Sequence, residues 1–450
     1  MTATATRFRW VLLASVVLGT AGWWWLSRTP SGTDRIAVRP VGASLPDPVA
    51  DSADWPWWRG PQGNGVATGS AVVSWSETQN VVWKVPVPGR GHSSPTVVGQ
   101  QVILATADED KQVQSVVCFD RKTGTQLWKT DLHQGGFPSQ SQMHPKSSHA
   151  SCTVAADGER LFVAFLNAGS IVATALDLNG KTLWQQTLGP FSPKFGLATS
   201  PVLHKSFVVF SCDHQDGGFL AAVHRHNGAI AWREPRPAVA TYSSAVVARV
   251  DGRHQLLISG GRRVASYDPE TGKPLWSCSG ASEATCGTLV WQDDRVFASG
   301  GYPESETLCV MGDGTRSVLW RNAQKCYAQS MLAHAGYLYA VADGGVAYCW
   351  NNQTGDVMWR SRLGGQCSAS PVLAGDHLYV STERGTTYVF KAQPDAYHLV
   401  SRNQLGDEAL ASPAVCGGRL YLRVASQQQT RREFLYCIGE SETAISEESL

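Results

Sequence analysis

The chain has 450 residues, 43% apolar and 17% charged, with 44 glycines and 22 prolines. That composition excludes a disordered or collagen-like chain and supplies enough apolar surface for a large core. Thirty-eight basic residues against 37 acidic ones leave a net charge of +1, which excludes nucleic-acid binding driven by bulk charge.

Arg7 and Arg9 precede an uncharged apolar run from Trp10 to Leu26, followed by Arg28 and Pro30. The run is just long enough to cross a bilayer. Trp10 at one end and Trp23, Trp24 and Trp25 at the other resemble an interfacial aromatic belt. Residues 1–27 are therefore expected to be an export signal kept as a transmembrane helix. The rival reading is a cleaved signal peptide ending near Gly19-Thr20-Ala21, which would leave the protein secreted. No Cys precedes Cys118, which speaks against a lipidated amino-terminal cysteine. Residues 28–53, rich in Pro, Gly and Ala, read as a flexible linker. Residues 54–80 open with Asp54-Trp-Pro-Trp-Trp-Arg-Gly60, an aromatic and Gly-rich apron expected to pack over one face of the folded part, because exposed clusters of that size are uncommon.

From Val81 a repeat governs the chain. Asp120-Arg-Lys-Thr-Gly-Thr-Gln-Leu-Trp128 has the spacing D-x-x-T-G-x-x-x-W and returns as Asp268 to Trp276 and, with Asn for Asp, as Asn351 to Trp359. Asp177 to Trp184 and Arg225 to Trp232 shorten the turn to Asn-Gly, a favoured hairpin turn. The marker tryptophans, Trp83, Trp128, Trp184, Trp232, Trp276, Trp320 and Trp359, recur at intervals of 39 to 56 residues. That period fits four-stranded blades. One Trp per unit at a fixed register reads as packing, and the repeated Asp reads as a turn residue bonding nearby amides.

The final unit, from Ser412 to Ile438, has three strands, and the orphan Val81-Val-Trp-Lys-Val85 supplies the fourth. The fold expected over 81–438 is all-β: an eight-bladed propeller of four-stranded antiparallel blades, closed by its amino-terminal strand. Deleting residues 1–80 is expected to leave that ring folded. Residues 439–450 read as a disordered acidic tail. The eleven cysteines contain no C-x-x-C and no adjacent pair, a pattern of buried small hydrophobes rather than of a disulfide framework or a zinc site.

With S-P-x-V, D-x-x-T-G and the following Trp in this order, residues 55–438 resemble the pyrroloquinoline-quinone (PQQ) repeat family of eight-bladed propellers. That family holds both quinoprotein dehydrogenases and the non-catalytic branch typified by BamB, a lipoprotein of outer-membrane barrel assembly. For the dehydrogenases the resemblance implies PQQ, calcium, a catalytic Asp and an adjacent-cysteine disulfide. This chain has no Cys-Cys and nearly minimal loops, so no catalytic residue is carried over and the BamB-like branch is preferred.

Aligning the innermost strands on Ser94, Ser151, Ser200, Ser244, Thr288, Ser330, Ser370 and Ser412 places, two residues earlier, His92, His149, Ala198, Tyr242, Cys286, Ala328, Ser368 and Leu410 around one mouth of the channel. Neighbouring loops add His133, His144, Lys146, Lys194, Lys325 and Tyr327, and the stretch from Asp131 to Ala150 is the longest between blades. The expected ligand site is His92, His149, Lys146, Lys194, Tyr242, Cys286 and Tyr327, with no catalytic group and no metal there. The histidine spacing matches no ligand motif, and Cys286 has no sequence-adjacent base to activate it. The function expected is that of a monomeric, membrane-anchored module on the periplasmic side, binding a protein partner or small ligand at the channel face without a cofactor. The alternative is a PQQ- and calcium-dependent oxidoreductase working at the same mouth.

Overall fold

A computed structural model of the chain describes residues 34–37, 44–427 and 430–440. The expected transmembrane segment and residues 441–450 of the expected tail lie outside the described residues. Among the described residues, no helix is long and apolar enough to cross a membrane.

Eight four-stranded antiparallel sheets follow one another along the chain. Blade 1 runs outward through Thr96–Val98, Gln101–Asp108, Val113–Asp120 and Gln126–Gln134. Blades 2 to 7 begin at Ala155, Val202, Val246, Val290, Leu332 and Val372. Blade 8 is built from Ala414–Cys416, Arg419–Ser426 and Arg432–Ile438, and its outermost strand is Val81–Val87. The register sets Lys84 opposite Tyr436 and Val85 opposite Leu435. Chain start and chain end thus share one sheet, which closes the ring.

Two repeated contacts hold neighbouring blades together. On the inside, the amide at the start of one innermost strand donates to a hydroxyl at the start of the next: Ser94 to Thr153 at 3.1 Å, Thr153 to Ser200 at 3.0 Å, Ser200 to Ser244 at 2.9 Å, Thr288 to Ser330 at 3.0 Å, Ser330 to Ser370 at 2.9 Å, Ser370 to Ser412 at 2.8 Å and Ser412 back to Ser94 at 3.1 Å. Between blades 4 and 5, the Thr285 amide donates to Thr241 Oγ1 at 3.1 Å instead. Each such bond satisfies a buried amide that would otherwise cost about 1–3 kcal/mol.

On the outside, each marker Trp lies over the hairpin turn of the following blade. Trp83 donates to the Arg121 carbonyl at 3.1 Å, Trp128 to Leu178 at 3.0 Å, Trp184 to Arg225 at 3.2 Å, Trp320 to Asn352 at 3.0 Å and Trp359 to Gln393 at 2.7 Å. The glycine of that turn is required twice over. Gly180 has φ +84, and a Cβ on it would come within 2.6 Å of the Trp128 ring. Asp120 Oδ1 accepts from the amides of Lys122 and Thr123, so the repeated Asp shapes the turn.

The aromatic segment from Asp54 closes the channel end away from the mouth. Trp55 pairs through its backbone with Val97 of blade 1, the Pro56 carbonyl accepts from Ala156 of blade 2, and Ala67 donates to Leu373 of blade 7. Arg59, 2% exposed, donates to the carbonyls of Pro371 at 2.8 Å, Met331 at 2.6 Å and Asn64 at 3.0 Å. Burial lowers its pKa to about 9. Trp75, also buried, stacks on Tyr379. Within the stretch read as linker, Ile36 bridges to Arg233 and Leu45 donates to Ser206 Oγ at 2.7 Å. These residues follow the ring because blade 3 offers them an outer-strand edge and unfilled turn donors.

Candidate functional site

Strand order determines which loops meet at the mouth. Loops running from an outermost strand to the next innermost one share an end of the ring with the hairpins between second and third strands. Together they enclose a channel cavity of about 950 Å³. Its walls include His92, Ala198, Tyr242, Cys286, Ala328, Ser368 and Leu410, seven of the eight residues expected to ring the mouth, together with Lys146, Lys194, Lys325 and Tyr327.

The exception is His149. In blade 2 the hydroxyl that joins the inner ring is Thr153, and Ala155, opposite Phe162, occupies the register that Thr96, opposite Ile103, holds in blade 1. The alignment on Ser151 is therefore two residues early. Ser151 itself takes the mouth position and lines the cavity. His149 stacks on Phe137 at 4.2 Å between ring centroids, beneath the loop and outside the cavity wall. His133 sits on the outermost strand of blade 1 against Phe165, and His144 packs edge-on against Phe195. The loop histidines thus have three separate aromatic partners.

The longest inter-blade loop arches across the opening. Lys146 leaves blade 1 and reaches blade 7, where Nζ donates to Gln366 Oε1 at 3.1 Å and Glu383 Oε1 at 2.8 Å. Glu383 also accepts from Ser368 Oγ at 2.7 Å. On the other side Lys325 pairs with Asp343 at 3.4 Å and lies over the Tyr327 ring. Lys194 lies over Phe195, which continues to Tyr242. From below, Trp58 enters the cavity and donates to Thr288 Oγ1 at 2.8 Å. The result is a pocket with a fixed floor, an aromatic wall and a partly roofed entrance ringed by mixed charge.

Two buried polar atoms of the wall residues, His92 Nε2 and the Tyr242 hydroxyl, have no hydrogen-bond partner among the described residues. Burial, together with Arg90, Arg423 and Arg431, holds the His92 pKa well below 6.5, so its ring is neutral. A neutral imidazole offers one donor and one acceptor. Burial likewise raises the Tyr242 phenol and pushes the Cys286 thiol up to about 12, despite a bond from Tyr327 that opposes the rise. At neutral pH Cys286 is a thiol, the weakly nucleophilic form of the group. Sequence reasoning missed Phe195, Tyr302, Asp343 and Glu383 of the wall. Except for Phe195 they lie on or beside hairpins between second and third strands, and a count of strand directions would have placed them at this mouth.

The carboxylates present do not offer calcium an open set of ligands. Calcium takes six to eight oxygen ligands, and the three carboxylates of the wall are already engaged: Glu383 by Lys146, Asp343 by Lys325 and the Tyr327 amide, Glu283 by Arg262. Cys286 and Cys367 both line the cavity as free thiols.

A family model described as outer membrane protein assembly factor BamB matches residues 112–359, 312–396 and 353–432. The chain is 25% identical over 367 residues to the outer membrane protein assembly factor BamB of Burkholderia pseudomallei strain K96243, covering 69% of this chain and 87% of that one. Among solved structures, BamB from Moraxella catarrhalis superposes with a TM-score of 0.57 at 15% identity, covering 79% of this chain and 96% of that one. A europium-containing methanol dehydrogenase superposes with a TM-score of 0.66 at 10% identity, covering 87% and 98%. These two likenesses establish the shared propeller architecture and leave activity to the site itself. The match over most of the repeats is what decides the family: this chain belongs to the outer membrane protein assembly factor BamB family.

Proposed function

We propose that the protein is a binding and scaffolding module of the cell envelope, the setting that the name of its relatives, outer membrane protein assembly factor, suggests, and that it seats a segment of a partner protein in the channel mouth. In this reading residues 1–27 anchor it as a single transmembrane helix, the ring stands on the periplasmic side as a monomer, and His92, Lys146, Lys194, Tyr242, Cys286 and Tyr327 line the seat. The observation that carries the reading is a cavity of about 950 Å³ whose entrance sets an aromatic wall, Phe195 and Tyr242, beside the ammonium groups of Lys146, Lys194 and Lys325. A peptide supplies a donor and an acceptor at every residue, and the aromatic wall suits an apolar side chain beside them.

The test is a photo-crosslinking residue at position 195 or 302, both exposed at the rim. Adducts with a component of outer-membrane protein assembly, lost when Lys194→Glu and Tyr242→Ala are combined, are the expected result. Adducts that survive the double substitution would place the partner elsewhere. The second reading is the PQQ- and calcium-dependent oxidoreductase that the repeat resemblance also implies. Micromolar PQQ binding in the presence of calcium, with a redox-active spectrum, would replace the scaffold reading.

A further inference from the structure

Away from the mouth, three metal-ligating side chains from three separate parts of the chain converge. Asp47 comes from the amino-terminal strap, His204 ends the innermost strand of blade 3, and His254 lies on the second strand of blade 4. One donor atom from each lies within 4.8 Å of the others. The two imidazoles meet edge to face, with centroids 5.1 Å apart. His204 Nδ1 is 3.0 Å from Asp47 Oδ1, while Nε2 of the same ring, in a side chain 2% exposed, has no hydrogen-bond partner.

We propose that Asp47, His204 and His254 bind one divalent transition-metal ion, with zinc as the probe, and that the ion clamps the amino-terminal strap across blades 3 and 4. Two imidazoles and one carboxylate form a borderline donor set that suits zinc, cobalt, nickel or copper rather than magnesium or calcium. Bonds of about 2.0–2.2 Å in tetrahedral geometry set ligand atoms about 3.3–3.5 Å apart. His254 is exposed, so its side chain can close the remaining distance without disturbing the core. Three protein ligands leave a fourth position for water.

The surroundings support the assignment. The Lys205 amide donates to Asp47 Oδ1 at 2.7 Å and fixes that carboxylate, in the way outer partners orient metal ligands. The Lys205 ammonium is drawn off by Glu270 at 2.5 Å. The strap already touches blade 3 through Leu45 to Ser206 Oγ and through the Pro46 carbonyl to Arg225, each at 2.7 Å. A metal would add the link to blade 4 that these hydrogen bonds do not make.

The experiment uses the full chain, stripped with a chelator and titrated with zinc by calorimetry and with cobalt by visible absorption. One equivalent is expected to bind. His254→Gln and Asp47→Asn should each weaken binding by about tenfold or more, and His254→Gln should leave the melting of the metal-free protein unchanged. Zinc should also slow proteolysis of residues 44–53 in the unsubstituted chain and not in His254→Gln. Absence of zinc binding, or binding that both substitutions leave intact, would overturn the site. Cleavage of the strap at the same rate with and without zinc would overturn the clamp.

Discussion

The docking of each Trp on the next blade's turn can be measured by adding one methyl group. Gly180 and Gly158 both lie in tight turns of blade 2 with similar backbones, φ +84 and +90. They differ in what a side chain would meet. A Cβ on Gly180 would fall 2.6 Å from the Trp128 ring and 2.8 Å from Thr130 Oγ1, whereas one on Gly158 meets nothing within 4 Å. Gly158→Ala therefore carries only the left-handed backbone cost, about 1–2 kcal/mol. Gly180→Ala carries the same cost plus overpacking of about 1–3 kcal/mol, because Trp128 is held by its bond to the Leu178 carbonyl and has little freedom to retreat. In parallel urea titrations the midpoint shift of Gly180→Ala should be roughly twice that of Gly158→Ala. Tryptophan fluorescence should change in the folded state of Gly180→Ala alone. Equal shifts for the two substitutions would refute the claim that the Trp–Gly contact holds neighbouring blades.

Deleting Val81–Val87 should open the ring and lower the melting temperature sharply, since blade 8 then loses the whole strand paired with Arg432–Ile438; unchanged melting would refute closure by this strand. Stability should also fall in acid. The His92 and His214 pKa values are lowered by burial in the folded state, so the unfolded chain takes up more protons as the pH drops below about 6.5, and stability present above that value is progressively lost beneath it. Melting followed between about pH 7.5 and about pH 5.5 should show this decline, with a shallower slope for His92→Gln. A slope unaltered by that substitution would place the linkage in other groups.

The ring itself was legible because its determinants are local. Thr123-Gly124 must turn, Trp128 must be buried, and a fixed register between them can only be a repeated unit. Closure was legible from the strand missing after Ile438 and the spare one at Val81. What failed was the phase of blade 2. Ser151 and Thr153 both carry hydroxyls, and a shift of two residues leaves a strand facing the same way, so the two alignments are separated by tertiary contacts: the bonds of Thr153 with Ser94 and Ser200 and the pairing of Ala155 with Phe162. The role of the aromatic segment was legible only in outline. Its packing over one end could be inferred from three tryptophans, but the contacts of Arg59 with Pro371 and Met331 join residues far apart in the chain. Those contacts also bear on the expectation that the ring survives loss of residues 1–80, because Trp55, Arg59 and Trp75 are all buried against it.

The strand that starts the ring is the first part of it to be synthesised, and its partner, Arg432–Ile438, is the last. Until the final strand appears, blade 8 stands unfinished, with the edge of Arg419–Ser426 open on one side and Val81–Val87 unpaired on the other, and open edges recruit other strands. A product cut short anywhere in blade 8 therefore never reaches a sealed state. The fold checks its own length, and a truncated copy announces itself by the edge it leaves uncovered.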